Sequence, residues 1–507
     1  MGTMKTPGVY IIEKNAFPNS VVEAETAIPV FVGYTEKAIE GTTSILNRPK
    51  RISSMGEFHN FFGGEPKQEF SVTKEKPEGD SEIIEIKFSA DTTYYIKVPT
   101  LYTLYYNMLL FFANGGGTCY VVSVGGYDYT KAVEKAVLEG GIEPLQKEQE
   151  PTMVVIPEAI NLSKDDCYAL QQTMLNHCGN VMKNRFALLD VWKGTDFGDA
   201  NFNSVNSFRE GIGSNFLAYG AAYFPWLESS VISLSDISWE NIAAWEDWIK
   251  SESENFNVND KLQSRLKSLI DKYFSDIANN ADVDYQSNLK VNLHSALSQN
   301  WTIYKTVLET IKGRLNLLPP SAALAGIYTM VDNTRGVWKA PANVSINSVV
   351  IPSVNITNEE QEDLNVPMNG KTLNAIRFFI GDGIKVWGAR TLDGNSLDWR
   401  YVNVRRTMIF LETSIKNAAR SYVFEPNTAT TWINMKSMIE NFLHGIWKRG
   451  GLAGASPEDA FSVHVGLGDT MTPEDILEGI LRITVLVALS RPAEFIEITF
   501  QQQMQKS

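Results

Sequence analysis

Both ends of this chain are short, apolar, β-prone segments with nothing beside them in sequence to pair with, and this constrains the fold more than any other feature. At the start, Thr6-Pro-Gly-Val-Tyr-Ile-Ile-Glu13 is β-branched and follows a turn signal, yet Asn15-Ala-Phe-Pro18 and a polar stretch come next. At the finish, residues 494–500 set Ile496, Ile498 and Phe500 on one face, and Pro492 separates them from the preceding strand. A lone strand leaves its N–H and C=O groups open and is unstable until it joins a sheet. Val9, Tyr10, Ile11 and Ile12 at one end, and Ile496, Ile498 and Phe500 at the other, are therefore the candidate arm strands. Addition to a sheet of another chain is one solution, with main-chain bonds giving strength and alternate side chains giving register. An edge within the same chain, or a frayed tail, is the other.

Between the ends the pattern changes twice. From Ala27 an α/β alternation runs through an apolar strand at 28–33, a buried helix at 101–113 stopped by Asn114-Gly-Gly-Gly117, and a strand at 118–124. A helix near 129–138, a strand at 152–156, a helix at 164–177, a strand at 186–191 and a strand-like 221–224 follow. Such alternation predicts a layered sheet with helices on its faces. Two stretches read as insertions: an alternating hairpin (82–89 and 92–98), and a polar helical region at 238–313 anchored by Trp239, Trp245 and Trp248. The last third reads as α+β, with a strand at 384–391, helices at 403–422 and 428–447, and alternating strands at 461–465 and 481–489. The 428–447 helix carries the stripe Trp432, Met435, Ile439, Phe442, Ile446, one apolar face.

The 507 residues would fill about three average domains; the alternation reduces these to two core domains plus elaborations. A net charge of −14 argues against a nucleic-acid binder, which needs positive charge to release phosphate counterions, and against a polybasic membrane anchor. The three cysteines (Cys119, Cys167, Cys178) have no framework spacing, so a reducing compartment of synthesis is expected. The N-terminus has no apolar signal core, and no apolar stretch reaches the roughly 20 residues a membrane helix needs. Synthesis in the cytoplasm without membrane insertion is the expectation.

The search for chemistry returns little. Asn365-Val-Pro-Met-Asn-Gly-Lys371-Thr372 ends like a phosphate loop, but Asn365 stands at the first required glycine and Pro367 removes an amide the nest needs. Gly115-Gly-Gly117 follows a helix, which reads as a C-cap. The five histidines and three cysteines show no zinc spacing, His177-Cys178 reads as helix-end packing, and there is no Gly-x-Ser-x-Gly elbow. No catalytic, cofactor or metal residues are assigned, which weighs against an enzyme. One charge feature stands out. Between 403 and 449, Arg405, Arg406, Lys416, Arg420, Lys436, Lys448 and Arg449 outnumber Glu412, Glu425 and Glu440 by four. The strip is either a solvated helix surface or a face presented to an acidic partner.

A series of blocks in fixed order resembles the tail sheath proteins of contractile phage tails and related contractile injection systems. They are Thr6-Pro-Gly-Val-Tyr10 with Glu13, Thr26-Ala-Ile-Pro-Val-Phe-Val-Gly-Tyr-Thr35, Pro319-Pro-Ser-Ala-Ala-Leu-Ala-Gly326, Asp332-Asn-Thr-Arg-Gly-Val-Trp-Lys-Ala-Pro-Ala-Asn343, Leu373-Asn-Ala-Ile376, Gly388-Ala-Arg-Thr-Leu392 and Arg491-Pro-Ala-Glu-Phe-Ile496. Residues 40–99 and 238–313 match poorly. The resemblance implies a fold of α/β and α+β parts: an N-terminal arm (1–25), an outer α/β domain (26–344) with insertions at about 40–99 and 238–313, and an inner α+β domain (345–507) completed by the arm. It implies a structural, non-enzymatic subunit that polymerises as sixfold rings around an inner tube and contracts to drive the tube through a target envelope. The two arms would join neighbouring copies through a shared sheet, and baseplate and cap proteins would be further partners. Assembly would occur in the bacterial cytoplasm, within a phage tail or an injection particle. Lys448, Arg449 and Lys436 become the candidate contacts to an acidic tube. The alternatives are a sheath paralogue confined to the baseplate or cap end, and a nucleotide-dependent α/β enzyme.

Overall fold

The computed structural model describes residues 20–78, 82–89, 92–198, 202–257, 259–279 and 282–498. Val9, Tyr10, Ile11, Ile12 and Phe500 lie outside the described residues. The chain divides into two units: Ala27–Thr334 with Pro341–Val402, and a smaller one of Met1–Thr26, Arg335–Ala340 and Asn403–Ser507. The backbone therefore passes between the units four times, at 26/27, 334/335, 340/341 and 402/403.

The larger unit is built on a nine-stranded sheet. Its strands in chain order are β1 (Pro29–Gly33), β2 (Lys50–Ile52), β3 (Cys119–Ser123), β4 (Met153–Val155), β5 (Phe186–Asp190), β6 (Gly220–Phe224), β7 (Val344–Ser345), β8 (Asn374–Phe379) and β9 (Gly383–Val386). Their spatial order is β7-β9-β8-β6-β5-β4-β1-β3-β2. The central pairs are parallel, with Val30 opposite Tyr120 on one side of β1 and opposite Val154 on the other. Alternate side chains sort to the two faces: Phe31, Val121, Leu188 and Tyr223 into one hydrophobic cluster, Val30, Val122, Leu189 and Ala222 into another. A strand buried on both faces reads as an unbroken apolar run, which is why these segments stand out in the sequence.

Helices α1 (Leu104–Ala113) and α2 (Ser321–Arg335) pack into the first cluster, and the helix Lys164–Asn176 into the second. The approach of α2 to the end of α1 is close: a Cβ on Gly326 would lie 2.5 Å from the Phe111 carbonyl oxygen. The expected hairpin forms from Ile83–Lys87 and Thr93–Lys97, with Ser71–Thr73 adding a third strand. The helical insertion comprises Trp245–Glu254, Lys261–Asn279, Val283–Asn300 and Thr302–Asn316. All three expected anchors are in its aromatic cluster: Trp248 stacks 5.3 Å from Trp301, and Trp245 lies between Trp239 and Tyr273.

Three sequence readings need correction. The helix near 129–138 contracts to Lys135–Gly140, because Asp128 Oδ1 accepts the Thr130 N–H and hydroxyl and holds a local turn instead. The strand at 384–391 ends at Val386, because the Asn374 side chain takes over the main-chain role, accepting from Arg390 N–H at 2.7 Å and donating to Arg390 O at 2.8 Å. Residues 345–402, expected with the C-terminal unit, pack in the larger one, since β8 extends the sheet in parallel beside β6.

The smaller unit consists of α3 (Val402–Ala419, its first residue still in the larger unit), α4 (Ala429–Lys448) and the antiparallel pair β10 (Phe461–His464) and β11 (Thr484–Val487). Phe410, Met438, Ile439, Phe442, Ile446 and Val463 form its core. Two distant segments complete it. Ala24 N–H donates to Ser414 Oγ at 2.9 Å, Arg406 donates to Thr26 O at 2.8 Å, and Asn403 donates to Trp338 O at 2.9 Å.

Candidate functional site

The features that resemble catalytic motifs are spent on the fold. His177 is buried with Nε2 accepting from Arg185 at 2.8 Å; burial, then the Arg185 charge, pushes its pKa down to about 4. The neighbouring Cys178 thiol is pushed up to about 12 by burial, so the two form no acid–base dyad. In the phosphate-loop lookalike, Lys371 Nζ donates to the Arg209 carbonyl and Thr372 Oγ1 to the Asn365 carbonyl. The lysine thus faces main chain rather than an open anion nest. Among the described residues no group of three or more His, Cys, Asp or Glu could hold a metal ion, and no helix is long and apolar enough to cross a membrane.

Two surfaces of the smaller unit remain. The first is the β10–β11 sheet, in which Phe461 pairs with Val487 and Val463 with Val485. Among the described residues it has only these two strands, so both carry an outer edge without a ladder partner. In the same unit, Ile496 and Ile498 are 78% and 67% exposed and belong to no strand within this chain.

The second is the basic side of α4 and its end. Of the three basic residues singled out, Lys436, in the first half of the helix, lies 3.8 Å from Glu440, and Arg449, just past its end, pairs with Glu23 while its guanidinium sits 5.3 Å above the Trp338 ring. Lys448 is exposed and has no hydrogen bond or ion pair among the described residues. Two of the seven basic residues of the strip turn elsewhere: Arg405 and Arg406 are buried. The crossing segment 335–340 reaches this end through Trp338, whose ring lies under Arg449. Lys339 is held below its ordinary pKa by burial and then by the Arg335 charge.

Residues 247–392 match the phage tail sheath protein central domain and residues 395–503 the phage tail sheath C-terminal domain, about half of the chain together. A tail sheath protein of Vibrio phage KVP40 is 26% identical over 152 residues, 29% of this chain; the match spans only 22% of that relative's length. The sheath of an extracellular contractile injection system, PVC, solved in the contracted state, is 26% identical and superposes with a TM-score of 0.59, covering 99% of each chain. The helical sheath of the anti-feeding prophage in its contracted state is 27% identical with a TM-score of 0.60, covering 99% of this chain and 100% of the other. A chain of the sixfold-symmetrised baseplate of that prophage is also 27% identical, with a TM-score of 0.58 and the same coverage.

Proposed function

The chain belongs to the contractile tail sheath family, and from that premise we propose that it is the structural and mechanical subunit of a contractile sheath. Copies polymerise in sixfold rings around an inner tube, joined end to end with baseplate and cap proteins. Contraction repacks the copies and drives the tube through a target envelope. Stored packing energy replaces nucleotide hydrolysis, as in other bistable assemblies. The particle is assembled in the bacterial cytoplasm as a phage tail or injection device.

The observation that carries this reading is likeness over the whole chain to sheaths solved in the contracted state. The local surfaces suit it. The smaller unit is assigned as the inner domain, and its two-stranded β10–β11 sheet has edges for arm strands from neighbouring copies, Val9 to Ile12 from one and Ile496 to Phe500 from another. Contacts of this head-to-tail kind, whose rotation does not close, generate helical polymers. The tube is assigned to the basic residues of α4, with Lys448 as the free charge at its end, Arg449 next to it and Lys436 in the first half of the helix. Negative-stain microscopy of the purified protein is the test: long striated cylinders support the reading, and a population that stays monomeric under all assembly conditions refutes it.

The equal likeness to a baseplate chain favours a second reading, a paralogue confined to one end of the sheath. Gold labelling of native particles separates the two, since label along the whole cylinder excludes the end-specific role.

A further inference from the structure

Strand order places β1 between β3 and β4: the chain runs from β1 out to β3 and returns to β4 on the other flank. In doubly wound sheets, ligands bind outside the carboxyl ends of the strands at such a reversal, with anionic groups set on a helix N-terminus that a glycine lets them approach. Here the position is filled from within. Glu158, in the turn Pro157–Asn161 after β4, is fully buried. Its Oε2 accepts the Tyr34 N–H at 2.8 Å, and its Oε1 accepts the N–H groups of Thr103 at 3.1 Å and Leu104 at 3.3 Å, at the N-terminus of α1. Thr103 makes no side-chain cap bond, and its Oγ1 is buried without a hydrogen-bond partner. Gly33, the last residue of β1, is where a Cβ would stand 2.8 Å from Glu158 Oε2. No Lys, Arg or His among the described residues is in ion-pair range of this carboxylate; its charge is met by main-chain amides alone. Burial pushes the carboxyl up to about 7, with the three amides opposing the rise.

We propose that Glu158 is an internal ligand, occupying a small-carboxylate site formed by Gly33, Tyr34, Thr103 and Leu104. A chain lacking that side chain takes up a free carboxylate of formate size in its place. The larger unit thus keeps the ligand geometry of its sheet class while closing it with its own residue.

The test uses the full chain with Glu158→Gly, followed by thermal unfolding against sodium formate, with sodium chloride at matched ionic strength as control. Binding to the native state raises the melting temperature. The expected result is a saturable upward shift with formate in E158G and none in the native chain. Equal shifts in both proteins, or no formate shift in folded E158G, overturn the proposal. If E158G does not fold, it is refolded from urea with and without formate: recovery only with formate supports the site, and equal failure in both rejects it. Independently, Gly33→Ala in the native chain must lower the melting temperature, and an unchanged value overturns the close approach on which the site depends.

Discussion

Replacing Asp190 by Asn is expected to change how the stability of the larger unit responds to pH. Asp190 ends β5, is buried, and accepts both the N–H of Ser321 at 2.9 Å and its hydroxyl at 2.5 Å, so it caps the first turn of α2 from another element. Burial raises its carboxyl from an ordinary 3.8 to about 7, the two Ser321 bonds acting against the rise. Between those values the unfolded chain has already lost the proton that the folded chain retains. The contribution is therefore complete below 3.8 and is lost as the pH rises through 7. A shift of about 3 units corresponds to about 4 kcal/mol in total, of which about 3 kcal/mol falls between pH 5 and pH 8. Asn cannot ionise and keeps both bonds, because its oxygen accepts the Ser321 N–H and its amide donates to a hydroxyl that can equally accept. The advantage of D190N over the native chain should therefore grow by about 3 kcal/mol from pH 5 to pH 8. Urea unfolding of the full chain at low concentration, followed by circular dichroism across that range, reads the difference directly. A difference that stays constant with pH, or a D190N chain less stable than the native one at pH 8, would show that the buried charge is stabilised by something other than Ser321.

Deleting residues 1–13 or 494–507 should abolish cylinders in electron micrographs while the melting transition of the monomer persists; normal-length cylinders from either truncation contradict the arm assignment. Reversing Lys448 and Arg449 to Glu should yield tube-free or prematurely contracted sheaths, and tubes that stay sheathed at ordinary and raised salt remove these residues from the tube contact. Lys436→Glu alone should have a smaller effect, since Lys436 already lies beside Glu440. Gly326→Ala should destabilise the larger unit by about 1–3 kcal/mol, because the new Cβ would press on the Phe111 carbonyl oxygen; an unchanged melting temperature would mean that α2 can withdraw from α1. Ile439→Ala should cost about 2–5 kcal/mol in the smaller unit, read as a lowered transition in calorimetry.

What could be read without coordinates follows from how far each signal reaches along the chain. The parallel strands were visible because burial on both faces leaves apolar runs at 29–33, 119–122 and 186–189, a purely local mark. The stripe of α4 was equally local. The unit boundary was not, because β8 owes its place to β6: Asn374 hydrogen-bonds to Ala222, 152 residues away. Charge counting along α3 and α4 treated Arg405 and Arg406 as surface, whereas Arg406 is needed to hold Thr26 O. The place of Trp338 under Arg449 was not legible, because only the return of the chain through 335–340 brings that ring to the end of α4. Glu158 looked like any glutamate in a turn; three amides from two separate segments give it meaning, and no spacing rule joins residues 34, 103 and 158. The arm strands remain a sequence argument at both ends, where Ile496 and Ile498 are exposed and in no strand of this chain.

The fourfold passage of the backbone between the two units bears on how such a subunit would carry load. Two bodies joined by one linker can swivel freely about it, and a single cut separates them. With crossings at 26/27, 334/335, 340/341 and 402/403, four stretches of chain join the units. A protease nick in one joint would leave three intact, so the units should stay together on a sizing column under native conditions. A polymer that pulls from copy to copy gains redundancy from this: force entering through either unit reaches the other along parallel covalent paths, and no single peptide segment has to bear the whole stroke.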